Sequence, residues 1–252
     1  MHRKIRWSSE LRFHPIGHLI SHTLLMSNSP NTKFDPSLDQ IDHLNRFPKM
    51  KPFVGENYEA SSHKRLLIIG ESGYFPDDST IHKVPEEWYR QEQESLTEEE
   101  SVYLDWRALL TGEWNQNGHE MYREINRCMK EVIDTSEDRA VSHIAYTNAF
   151  YRPASEPGES IKHCCTAIDF EKSIEISSSV IRCLKPQLVV FVSKFTWDSV
   201  GWRIAQANPS IKMDFTAHAS DRRWFYRKGY PHAKPKLISL LNEHYINKPS
   251  LA

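Results

Sequence analysis

The sequence has no long apolar run. Its longest, Leu188 to Val192, is far too short to cross a bilayer. The basic residues near the N-terminus are not followed by a continuous apolar segment, which argues against a secretory signal. Net charge is nearly absent, at -1, so no overall field draws the chain to nucleic acid or membrane. Any DNA contact must come from local patches. Apolar content is 39%, low for a compact globule but above the disordered range, so the core must be concentrated in a few segments. Cysteine is scarce: Cys128, Cys164, Cys165 and Cys183 form no C-x-x-C pair, and the adjacent Cys164 and Cys165 are poorly placed for a zinc or iron–sulfur site. They read as buried free thiols of a reducing, cytoplasmic compartment. No metal, no cofactor and no membrane association is expected.

What is present is a small set of buried strands. Arg65 to Ile69 is a continuous apolar run closed by Gly70, the pattern of a strand covered on both faces. Ile144 to Thr147, Gln187 to Val192 and the shorter Lys212 to Thr216 are three more. Phe170 to Leu184 has the spacing of an amphipathic helix, and Trp197 to Ala207 is another helical stretch. Strands alternating with helices predict a three-layer α/β/α fold around a mainly parallel four-stranded sheet. Sites on such sheets lie at the carboxyl ends of the strands.

Residues 1 to 44 read as an N-terminal extension, with loop signals at Ser27 to Asn31 and a turn at Asp35-Pro36. A short helix is expected at Ile16 to Met26. His14, His18 and His22 have the spacing of one helix face, but Pro15 and Gly17 weaken that helix, and surface histidines are the expectation. Residues 45 to 252 form the main domain. A helical insertion at about 85 to 135 interrupts it. From Glu71 to Asp105 there are eleven Asp or Glu against two Lys or Arg, the pattern of a solvated acidic surface. From Gln206 to the C-terminus the sign reverses, with eight Lys or Arg against three Asp or Glu. The basic end is therefore the expected nucleic-acid side.

Four segments follow the four strands. They are Gly70 to Asp78, Asn148 to Pro153, Ser193 to Phe195, and Ala217 to Trp224. An Asn, a His and several carboxylates thus converge on one sheet edge. Taken singly, Asn148 suits a turn or cap, His218 a structural histidine, Trp224 an apolar anchor, and Asp77-Asp78 a helix cap.

Together these segments resemble the uracil-DNA glycosylase superfamily, over about residues 45 to 245. Gly70-Glu71-Ser72-Gly73-Tyr74 is similar to its first motif, G-[QE]-x-[PG]-x. Glu71 with Asp77 and Asp78 matches the spacing of the G-E-A-P-G-x-x-E-D branch, and Tyr74 matches the G-Q-D-P-Y branch, where that tyrosine closes one side of the pocket. Tyr146-Thr147-Asn148 resembles the second motif, whose Asn reads the base. His218-Ala219-Ser220 resembles the third, an H-P-S-type loop. The resemblance implies a four-stranded parallel sheet and hydrolysis of an N-glycosidic bond on a flipped base. His218, Asn148, Glu71, Asp77 and Asp78 are the implied catalytic set, and Gly70, Ser72, Gly73 and Tyr74 the implied pocket.

The chemistry explains why such residues would be needed. Breaking the bond creates a sugar oxocarbenium and a base anion, so donors must face the base and a carboxylate must place water or stabilise the cation. Ser220, Arg222 and Arg223 are expected to hold DNA, single- or double-stranded, with Trp224 filling the stack after flipping. A monomer is expected. The chain departs from the family at Ser72, where one branch has a water-handling Asp, at Gly73 and Ala219, where prolines stand, and in lacking the four-cysteine cluster of the iron–sulfur branch. Two alternatives follow, the first from Ser72 and the missing carboxylate, the second from the acidic insertion. One is an inactive nucleic-acid- or partner-binding protein of the same fold, and the other is a small nucleoside or nucleotide hydrolase.

Overall fold

The computed structural model describes residues 29–112, 120–133, 139–156, 159–218 and 233–246. Helices α1 (Asp35–Leu38) and α2 (Asp42–Arg46) lead into strand β1 (Phe53–Val54) and then β2 (Leu66–Gly70). The insertion holds α3 (Pro85–Trp88), α4 (Glu98–Tyr103), α5 (Trp106–Thr111) and α6 (Glu120–Ile133). Then come β3 (Ala145–Asn148), α7 (Ala167–Leu184), β4 (Leu188–Phe191), α8 (Lys194–Thr196), α9 (Trp202–Ala207), β5 (Lys212–Phe215) and α10 (Ala233–His244).

The sheet has the order β1-β3-β2-β4-β5. Four strands are parallel, and β1 joins the far side of β3 antiparallel. The expected four-stranded sheet is thus corrected to five. A two-residue strand is too short to show any period, so β1 leaves no pattern in the sequence. The parallel strands β2, β3 and β4 are buried because their side chains alternate between two layers, whereas β5 at the end of the sheet is exposed or half-buried. Leu67, Ile69, Val189 and Phe191 face the layer built with α7, α1 and α2. Leu66, Ile68, Leu188 and Val190 face the layer built with α6 and α10. Each such fully buried side chain contributes about 1.5–3 kcal/mol.

The segment expected to be the end of an extension supplies Leu38 and Leu44 to the first layer. The predicted helix at Ile16 to Met26, with His14, His18 and His22, lies outside the described residues. Helix α7 starts at a capping box of Thr166 and Asp169. It ends with Lys185 in the left-handed region, at φ 49° and ψ 53°, and Pro186 then blocks its continuation. The insertion is helical, divided into three short helices and the longer α6, but its acidic surface has an exception. Glu100 is buried, accepting from the Thr97 backbone at 2.9 Å and from the Ser79 hydroxyl.

All four cysteines are free, but only Cys128 is buried, where burial pushes its thiol up to about 12. Cys164, Cys165 and Cys183 are half-exposed, because they sit at or near the ends of helices rather than under the sheet. β5 is the last strand of the sheet among the described residues; it carries Lys212, which is exposed, and Asp214, which accepts from Lys236 Nζ at 2.7 Å. That same ammonium sits 4.1 Å from the centre of the Phe215 ring. Among the described residues no helix is long and apolar enough to cross a membrane.

Candidate functional site at the carboxyl edge of the sheet

The register brings the ends of β2 and β3 together, Gly70 opposite Asn148. A Cβ on Gly70 would lie 2.2 Å from the Tyr146 hydroxyl and 2.3 Å from Asn148 Oδ1. Only glycine lets these groups approach the strand so closely. The Tyr146 hydroxyl donates to Asn148 Oδ1 at 2.9 Å. Burial, and then the neighbouring Tyr122, push the Tyr146 hydroxyl well above its ordinary range, so it keeps the proton it donates. Asn148 itself is 4% exposed. Its Oδ1 has a second lone pair and its Nδ2 two protons, so one fixed amide offers an acceptor beside a donor.

Beyond the strands the two loops run side by side. Ala149 N–H donates to Gly70 O at 3.2 Å, Phe150 N–H to Glu71 O at 2.9 Å, and Ala154 N–H to Gly73 O at 2.9 Å. Tyr74 forms an isolated bridge with Ala154. Glu71 is turned across this zipper. Its carboxylate accepts from Ser193 Oγ at 2.7 Å, just past β4, and from Ser160 Oγ, on the segment before α7. Ser72 and Gly73 are half-buried, and space around Gly73 is open. Tyr74 is at the surface while Phe75 turns inward against His82 and Trp88.

The carboxylates expected to act together are separated in role. Glu71 reaches the ends of β3 and β4. Asp77 and Asp78 are exposed, in a turn closed by Ser79 N–H donating to Pro76 O at 3.1 Å. Asp77 also neighbours Tyr103 of α4, whose hydroxyl is pushed up by burial first and then by Glu99, Tyr74 and Asp77. His218 is half-buried and follows β5. Strand order places β2 and β4 between Asn148 and the end of β5, a span of roughly 14 Å at about 4.8 Å per strand. Ser220, Arg222, Arg223 and Trp224 lie outside the described residues. A small cleft lined by Phe53, Glu56, Leu110, Arg139 and Val141 among others carries none of the candidate residues.

Sequence reasoning missed the group that fixes these loops. Arg152 and Asp169 form a fully buried ion pair, Nε to Oδ1 at 2.8 Å and Nη2 to Oδ2 at 2.7 Å. The same guanidinium donates to His82 O at 3.0 Å and Cys164 O at 2.8 Å. Asp169 also accepts from the Tyr89 hydroxyl at 3.0 Å and from Thr166 N–H at 2.8 Å. One ion pair therefore joins the loop after β2, the loop after β3 and the start of α7. The Thr166-x-x-Asp169 box was a visible signal for the acid, and a lone arginine among buried neighbours was the only one for its partner. Ser160 and Ser193 were missed because a serine before a helix reads as a cap and nothing more. No protein-family model matches the sequence, and no curated protein matches it.

Proposed function

We propose that this chain is a DNA glycosylase-like protein, similar to the uracil-DNA glycosylase superfamily, which hydrolyses the N-glycosidic bond of a flipped damaged or modified base. A uracil-type base is within its range. The observation that carries this reading is the juxtaposition of Gly70 and Asn148 at the ends of adjacent parallel strands, with Glu71 beside them. The order of parts along the chain supports it further. The first motif follows the first parallel strand, the asparagine ends the second, and the histidine follows the fourth.

In this reading the base leaves the stack and brings its edge to the Asn148 amide, which the close approach to Gly70 holds at the end of the sheet. Asn148 reads a carbonyl and an adjacent ring N–H through its donor and acceptor. The roughly 14 Å between the ends of β3 and β5 accommodates a planar base with a side chain reaching in from each side. His218 donates to the base oxygen on which negative charge develops. Glu71 orders the attacking water, and Ser220, Arg222 and Arg223 hold the flanking phosphates with Trp224 replacing the base in the stack.

The test is base release from oligonucleotides bearing uracil, hypoxanthine or xanthine, read by alkaline cleavage at the abasic site. Wild type should cleave at least one substrate, and Asn148→Ala should lose that cleavage by at least a hundredfold. Equal silence of both proteins across a broad lesion panel would sink the enzymatic reading. A second reading, a nucleoside or nucleotide hydrolase, is favoured by the acidic stretch from Glu71 to Asp105, since a small substrate needs no basic groove. Release of free base from nucleosides without DNA, and competition by them, would select it.

A further inference from the structure

Both oxygens of the Glu71 carboxylate are held by serine hydroxyls from distant parts of the chain, Oε1 by Ser160 and Oε2 by Ser193. Each serine is also a cap. Ser193 Oγ accepts from Thr196 N–H at 3.2 Å at the start of α8, and Ser160 Oγ accepts from Lys162 N–H at 3.3 Å at the start of a 3₁₀ turn. A serine hydroxyl has one proton and two lone pairs. With the oxygen facing a helix N–H, the single proton is directed at Glu71. The cap therefore orients the donor, and the two donors orient the acid.

Capping alone would not need this arrangement, because aspartate, asparagine or threonine caps as well. The hydroxyl proton aimed at Glu71 is the feature that an aspartate would lack. The loop that carries Glu71 also needs outside support, since Gly73 stands in open space where a proline would stiffen it. Ser193 is not set up as a nucleophile. It is 3% exposed, and its backbone is ordinary extended chain at φ -153° and ψ 125°.

We propose that Ser160 and Ser193 are positioning residues for Glu71, clamping its carboxylate between the loops that follow β2, β3 and β4. The inference rests on the glycosidic reading for the chemistry that Glu71 performs. In that step a water O–H bond breaks as its oxygen bonds to the sugar C1′. The C1′–N bond breaks with its electron pair leaving on the base, and the water proton passes to the Glu71 carboxylate.

The test has one readout that needs no activity. The side-chain carboxyl carbon of Glu71, assigned by its loss in Glu71→Gln, is followed by ¹³C NMR at fixed neutral pH. Ser160→Ala and Ser193→Ala should each shift the resonance, and Ser160→Thr and Ser193→Thr, which keep a hydroxyl, should restore it. Ser160 is the less buried of the two, so its variants decide the matter if Ser193→Ala fails to fold. Single-turnover base release should fall about tenfold in each alanine variant, the loss of one hydrogen bond to a charged group, with DNA affinity unchanged. An unmoved resonance in both alanine variants overturns the inference, as does an unaltered rate in an otherwise active enzyme. If wild type releases no base from any lesion, the glycosylase reading falls, and the resonance alone decides whether the serines position Glu71.

Discussion

Asn148 Oδ1 occupies the space that a side chain on Gly70 would need: a Cβ there would lie 2.3 Å from that oxygen. The two residues are register partners at the ends of β2 and β3, so neither can retreat without opening the sheet. Gly70→Ala should therefore cost about 1–3 kcal/mol, the usual range for overpacking a filled core. Urea denaturation measures the loss. Base release should fall further than stability alone explains, because the displaced group is the asparagine amide. A variant that is both stable and fully active would show that the close approach is dispensable.

Tyr146→Phe removes the donor that fixes the Asn148 amide while leaving the ring against Tyr122, 5.4 Å away between centres. A single buried hydrogen bond is worth about 1 kcal/mol, so stability should drop by roughly that much. The larger effect should be on discrimination between bases, since an amide free to rotate presents donor and acceptor in either order. The ratio of base-release rates for uracil and its competitors reports this. An unchanged ratio counts against the amide as the reading group.

Removing one member of the buried Arg152–Asp169 pair strands the other. Arg152→Met or Asp169→Leu should each cost about 3–5 kcal/mol, whereas the double replacement should cost less than the sum. A double-mutant cycle by chemical denaturation gives the coupling. Strict additivity would mean that the pair contributes only through independent packing of its two halves.

His43 sets part of the acid limit. Its ring packs against Phe47, Tyr89 and Tyr151, and burial first, then Arg46, hold its pKa down from 6.5 to about 3 against the opposing pull of Asp42. In the unfolded chain the ring takes a proton near pH 6.5, and in the folded chain only near 3. Its contribution to stability is thus complete above pH 6.5 and is lost as pH falls toward 3, by up to about 1.4 kcal/mol per pH unit. His43→Leu should show a shallower fall between pH 6.5 and 4 in urea titrations. Parallel stability curves for the two proteins would remove His43 from the acid response.

Much of the architecture was legible because the buried strands are nearly pure apolar runs. Leu66 to Gly70 and Leu188 to Phe191 are covered on both faces, so composition alone marks them. Asn148 and Glu71 could be placed at the sheet edge because each directly follows such a run. Phe53 and Val54 left no trace, since two residues cannot display a period. The Arg152–Asp169 pair and the Ser160 and Ser193 contacts to Glu71 were illegible for a different reason. They join residues whose proximity exists only after the loops are folded over the sheet. Asp77 and Asp78 showed the converse: family spacing grouped them with Glu71, yet local turn geometry sends them outward.

The outer strand β5 bears on self-association. An unpaired strand edge is a template for a second chain, and natural edges are blunted by charge. Here Lys212 projects from the edge, and Asp214 is tied to Lys236, whose ammonium also covers the Phe215 ring. Pairing with another β5 would have to desolvate that cluster and break the Asp214–Lys236 contact. Replacing Lys212 and Asp214 by valine would leave a smooth β-branched rim, turning a guarded border into an adhesive one. The same few charges, remote from the Asn148 end of the sheet, thus raise the cost of edge-to-edge pairing along β5.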